Sequence, residues 1–165
     1  MRPSNVQTRT TVFTGFEVKP AATDITDAAA FDWAGVNIGI QTNHERHEKN
    51  GSYFLFLRFI VDNEKGKQCP YSIDVQAMGR FDYVGPDDDG HAEDLIVVNG
   101  LSILYGAIRE LCAVITARMP HGAICLPGAN FMDHRPSLNA ELASQSIDEK
   151  KSPVRRRARR NLKAG

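Results

Sequence analysis

Val36, Ile38 and Ile40 alternate with polar or small residues along Val36-Asn37-Ile38-Gly39-Ile40-Gln41, a period of two that predicts a strand. Val12 to Val18 reads as an earlier extended piece. Tyr53-Phe54-Leu55-Phe56-Leu57-Arg58-Phe59-Ile60-Val61 is apolar on both faces and strand-sized, and Tyr71 to Gln76 alternates again. The turn residues Asn63-Glu64-Lys65-Gly66 between these two predict an antiparallel hairpin. Phe81 to Val84 continues or resumes the last strand after Gly79. The polar stretch Thr42 to Gly51 has no periodicity and reads as a loop, and Gly85-Pro86-Asp87-Asp88-Asp89-Gly90 is a strong break.

The period then changes. Over Leu101 to Met119, Leu101, Leu104, Ile108, Leu111 and Ile115 recur at three- and four-residue steps, which predicts a helix ended by Pro120. Ile103, Ala107 and Val114 form a second apolar stripe, leaving only Ser102, Arg109 and Thr116 as a polar seam. A helix lying on one sheet in a monomer shows a broader polar face. The helix is therefore expected to be covered on two sides, with the second cover supplied by an oligomer. A weaker helical segment, Asn130 to Ser146, is interrupted by Pro136. Strands first and helices afterwards give an α+β fold class.

At 165 residues the chain accommodates one compact domain, residues 1–146, and a tail, residues 147–165. A net charge of zero conceals a division: from Asp148 on, eight Lys or Arg stand against two acids, so the tail is +6 and the body −6. The tail is expected to be disordered. Its Arg155, Arg156, Arg157, Arg159 and Arg160 could dock on nucleic acid, the ribosome or an acidic partner; a solvated tail is the competing reading. No aromatic is interleaved for base stacking. The longest apolar run, Tyr53 to Val61, is too short to span a membrane, and Met1 to Gln7 is followed by no hydrophobic run of a secretory signal. Three scattered cysteines, Cys69, Cys112 and Cys125, suit reduced thiols and a cytoplasmic location.

Motifs of catalysis are missing. His44-Glu45-Arg46-His47 spaces its histidines three apart rather than the four a zinc-protease helix needs. Asp87 to Gly90 lacks the remaining ligands of a calcium loop, and Gly66-Lys67 lacks the upstream glycine of a phosphate loop. Cys112, on the apolar helix, reads as a small buried hydrophobe. No catalytic role, metal or cofactor is expected.

Two blocks resemble the SecB family of export chaperones. One is Leu57-Arg58-Phe59-Ile60-Val61, a turn, then Asp74-Val75-Gln76-Ala77-Met78-Gly79-Arg80-Phe81. The other is Ser102-Ile103-Leu104-Tyr105, Arg109-Glu110, Arg118, Leu126-Pro127 and Asn130-Phe131. The resemblance covers about Phe16 to Phe131. It implies a four-stranded antiparallel sheet with a long helix, assembled as a homotetramer with helices sandwiched between sheets. It also implies an ATP-independent holdase that keeps preproteins unfolded and passes them to the translocase motor. Tyr53, Phe54, Phe56, Tyr71 and Ile73 are then candidates for the client groove, with ordinary sheet core as the competing reading of each. Glu17 and Asp74 are candidates for motor contact, and Leu101, Leu104, Ile108, Leu111 and Ile115 for the oligomer interface. The sequence departs from the family in its arginine-rich tail, in Gly106 where many members have proline, in Pro136, and in Phe13 or Thr14 where an acid is expected. A dedicated chaperone of a toxin–antitoxin system is an alternative within the family, and an adaptor acting through the tail is one outside it.

Overall fold

The computed structural model describes residues 4–24, 27–47, 51–86 and 91–138. The four strands are β1 (Val6–Pro20), β2 (Val36–Arg46), β3 (Tyr53–Gly66) and β4 (Tyr71–Tyr83). They form one antiparallel sheet in the order β1-β4-β3-β2. The connection from β1 to β2 crosses from one edge of the sheet to the other, and β2, β3 and β4 then follow as neighbours. Among the described residues one long helix, α1 (Ala92–Thr116), packs on one face.

Which face it covers is written in the pleat. Leu55, Leu57, Phe59 and Val61 on β3, with Tyr71, Ile73, Val75, Ala77, Gly79 and Phe81 on β4, are buried, and the residues that alternate with them are not. From α1, Ile96, Val97, Leu101, Leu104, Ile108 and Cys112 complete this core. Burying each large side chain stabilises by about 1.5–3 kcal/mol before the entropy of ordering is counted. Gly100 lies where helix meets sheet: a Cβ there would come within 2.1 Å of a Leu55 methyl, so the close approach needs glycine.

Several elements run further than the periodicity indicates. β2 continues through His44 and Arg46, where a loop is expected, because ladder bonds to apolar β3 (His44↔Leu55, Arg46↔Tyr53) hold a stretch whose side chains are polar on both faces. β3 runs to Gly66, so Asn63 to Gly66 is strand and the turn follows it. The Asn63 carboxamide donates to the Cys69 carbonyl (3.0 Å) and accepts from its N–H (2.9 Å), closing that turn as a ladder pair would. β4 is unbroken at Gly79. α1 begins nine residues before Leu101, with Glu93 and Asp94 in its first turn, where the helix dipole favours acids. By length and apolarity it could cross a membrane, contrary to the sequence expectation; 44% of its most apolar window is buried inside this fold. Pro136 opens the helical residues 136–138 rather than interrupting a helix, a position its fixed φ suits.

Thr116 is buried, not part of a polar seam. Its hydroxyl donates to the Cys112 carbonyl (2.6 Å) and accepts from the Ile124 N–H (2.9 Å), fastening the segment after α1 to the helix end. The Tyr71 hydroxyl, which donates to the Gly122 carbonyl (2.8 Å) and accepts from the His121 N–H (3.1 Å), holds the same segment over β4. Thr116→Val keeps the shape and strips a buried N–H of its acceptor, which is expected to cost about 1–3 kcal/mol. Urea unfolding should show this as a lower midpoint with an unchanged slope. An unchanged midpoint would mean that the hydroxyl is dispensable.

Candidate functional site

The face of the sheet opposite α1 has no cover within the described residues. Register assigns to it Phe54, Phe56, Arg58 and Ile60 from β3, and Asp74, Gln76, Met78, Arg80 and Asp82 from β4. β1 adds Val12, paired with Met78, and Glu17, paired with Asp74. A bare sheet face in water is expected to be polar throughout. Here its centre is apolar: Met78 is 37% exposed, Val12 41%, and Phe54 and Phe56 lie half-buried beside them. Two dimples of about 200 and 120 Å³ flank Phe54 and Met78, one toward Val12 and Thr10, the other toward Phe56 and Asn43. Each has room for about one aliphatic side chain, and an extended chain presents such side chains two residues apart.

Charged groups border this patch at both ends. Arg58 donates to Asp74 through Nε (2.8 Å) and Nη2 (2.5 Å), a two-pronged pair that holds the Asp74 carboxyl below the usual carboxylate range. Glu17, directly opposite Asp74, pairs with Lys19 at 2.5 Å. At the other end, Asp82 accepts from the Ser52 hydroxyl (2.7 Å) and from Arg9 Nε (2.6 Å), and these contacts lower its pKa. Arg9 falls at the β1 register shift between Thr8 and Thr10. The two acids named from the sequence for motor contact are therefore neighbours, and each is paired with a cation of the same face.

The aromatic candidates divide between the two faces. Phe54 and Phe56 line the open side. Tyr53, Tyr71 and Ile73 belong to the core beneath α1 and are at most 4% exposed, so they lie under the helix and not on the open face. Met78 and Val12 are not among the groove candidates named from the sequence. Met78 is in phase with Asp74, Gln76 and Arg80, and an apolar residue at that position was the available signal.

Leu101, Leu104 and Ile108, expected at an interface between copies, are already buried against the chain's own sheet; Leu111 and Ile115 are half-buried. The second stripe is what stays open, with Ile103 41% and Val114 59% exposed. A groove of about 550 Å³ also runs beside the first turns of α1, floored by Leu95, Val98 and Met132 and rimmed by His91, Asp94 and Arg135. The tail arginines Arg155, Arg156, Arg157, Arg159 and Arg160 lie outside the described residues.

Among the described residues, no three His, Cys, Asp or Glu side chains converge as metal ligands. His44 lies 3.6 Å from Glu93 at the start of α1. Burial pushes the Cys112 thiol up to about 12 and raises that of Cys69, so neither is activated as a thiolate.

A four-stranded antiparallel sheet with one long helix across it, joined in this order, is the fold of a SecB-like chaperone. The SecB-like chaperone Rv1957 of Mycobacterium tuberculosis, solved with a ChAD peptide from the HigA1 antitoxin, superimposes with a TM-score of 0.51 at 14% identity, covering 74% of this chain and 86% of that one. A protein of unknown function from Streptococcus agalactiae superimposes with a TM-score of 0.44 at 12% identity, over 74% of this chain and 97% of that one. No family model matches the chain, and no curated protein matches it in sequence.

The contacts of Asp82 carry a pH dependence. Its folded-state pKa is lowered, so its contribution to stability is complete above the ordinary aspartate value of about 3.9 and is lost as pH falls through the lower folded value. Asp82→Asn is expected to flatten the acid limb of stability below about pH 4 and to leave its shape above pH 5 unchanged. Denaturation midpoints between pH 2 and 7 check this; parallel acid limbs would show that the contacts do not hold in solution.

Proposed function

We propose that this protein is an ATP-independent holdase that binds non-native polypeptide in extended form on the open face of its sheet. The observation that carries the reading is the apolar centre of that face, Val12, Phe54, Phe56 and Met78, on the fold of a chaperone solved with a peptide client. An extended chain can seat alternate side chains in the two dimples beside Phe54 and Met78. Binding by burial alone needs no nucleotide, and it ends when the client folds and withdraws its apolar surface. Assembly of subunits with their helices between sheets belongs to the same reading.

Light scattering after chromatography tests it, with a slow-folding client diluted from denaturant. The client is expected to co-elute with the protein while unfolded and to elute alone once folded. Met78→Asp puts a charge at the centre of the patch and removes burial worth about 1.5–3 kcal/mol, so affinity for the unfolded client should fall at least about tenfold. Wild-type binding by this variant would move the client site elsewhere, and no binding by the wild type would end the reading.

A dedicated client is favoured over general export by the pairing of the acids. Asp74 is held by Arg58 and Glu17 by Lys19, so the face offers a basic partner little free negative charge. The client of such a chaperone would be one partner, and the SecB-like Rv1957 was solved in complex with an antitoxin peptide. The basic tail supports a separate contact with nucleic acid or the ribosome, also proposed here. Removing residues 147–165 should abolish RNA retention at low salt and leave client binding within about twofold. Loss of both would make the tail part of the client site.

A further inference from the structure

We propose that the groove beside the first turns of α1 is filled by this chain's own residues 139–147, with Leu142 on its apolar floor. The inference stands apart from client binding and from assembly. The described residues leave that floor open: Leu95 is 43% exposed, Met132 47%, and Val98 is half-buried. Large apolar side chains gathered on the wall of one concavity mark a docking surface.

What covers it follows from where the chain goes. Residues 136–138 begin a new helical run. Pro136 has no N–H, so the first donor of the run is Ser137. Its N–H donates to Asp94 Oδ1 (3.0 Å), and its hydroxyl donates to Asp94 Oδ2. A carboxylate that accepts from the first free N–H of a helix acts as its cap. Here the cap comes from α1, and Asp94 is itself on the rim of the groove. Arg135, also on the rim, donates through Nε to the carbonyl of Met132 on the floor (3.0 Å).

The chain is thus fastened to the edge of the groove at Ser137. It continues through Leu138-Asn139-Ala140-Glu141-Leu142-Ala143-Ser144-Gln145-Ser146-Ile147. Leu138 and Leu142 are four apart, the spacing that stacks two side chains on one helical face. Even fully extended, position 142 stays within about 14 Å of Leu138. Beyond Leu138, Leu142 and Ile147 are the large apolar residues of this stretch, and Glu141 complements Arg135. A tethered segment acts at an effective concentration on the order of millimolar, so it holds the groove against a free partner presenting the same side chains.

A disulfide reads the contact directly. Cys125 is the exposed thiol among the described residues, so Leu95→Cys and Leu142→Cys are combined with Cys125→Ser and treated with mild oxidant. The expected result is a bridge within one chain, seen as a monomer whose introduced thiols no longer alkylate. In the control, Glu110→Cys replaces Leu95→Cys about 22 Å further along α1, and its thiols should stay free. A bridge between two chains would make a second copy the occupant, and no bridge, or equal bridging in the control, would leave the groove to an external partner. Each of these outcomes overturns the proposal.

Leu142→Asp supplies a second measurement in the full chain without oxidant. It should raise the fluorescence of an apolar dye, anilinonaphthalene sulfonate, severalfold at unchanged near-UV circular dichroism, while Leu142→Met stays at the wild-type level. Equal dye binding by Leu142→Asp and the wild type overturns the contact.

Discussion

When α1 settles on the side of β3 and β4 that carries Leu55, Leu57, Phe59, Ile73 and Val75, the pleat leaves Phe54, Phe56, Arg58, Asp74 and Met78 without cover from α1. Side chains alternate with a period of two, so one choice of face decides both sets, and a slip of one residue would exchange them. Phe59 and Val75 are opposite one another in the ladder, as are Ile60 and Asp74 on the other side. The Arg58–Asp74 pair lies one step from the core on each strand. It could not survive burial under the helix, where desolvation of both charges would outweigh their attraction. The ion pair and the core therefore demand the same register.

The fold was legible where pattern and packing coincide. The alternation of Val36 to Gln41, the hairpin of β3 and β4, and the helix through Leu101 to Ile115 are readable because each buries one periodic face. The far half of β2 was not, since Thr42 to Arg46 is polar on both faces and only its ladder partners on β3 make it a strand. The first turns of α1 were obscured by Val97, Val98 and Gly100, poor helix formers whose place in the helix comes from packing against the sheet.

The candidate site was half legible for the same reason. A run such as Tyr53 to Val61, apolar on both faces, carries no information about which half meets the helix. β4 carries it, because Asp74, Gln76 and Arg80 are in phase and mark the open side. β3 pairs Phe54 with Arg80 and Phe56 with Met78, so those two phenylalanines are open and Tyr53 is closed. Taking the polar phase of the neighbouring strand first would have sorted the aromatics from sequence alone. The placing of Glu17 opposite Asp74 needed the coordinates, because it depends on how β1 shifts register twice along β4.

The two exposed apolar surfaces of this chain lie on opposite sides of one sheet, and this bears on how they could be used. A chain that exposed both would have no defence against aggregation, since large uncovered apolar patches associate without selectivity. If the outer face of α1 is closed by a second copy, the remaining surface is the sheet centre around Phe54 and Met78, small, dimpled and bordered by paired charges at Asp74 and Asp82. Those borders limit what can lie across it: a folded protein presents few side chains able to reach into two separate dimples, whereas an extended strand presents them at the spacing of the sheet itself. Selectivity for unfolded chains then requires no moving part, because it follows from the size of the dimples and from closure of the other surface.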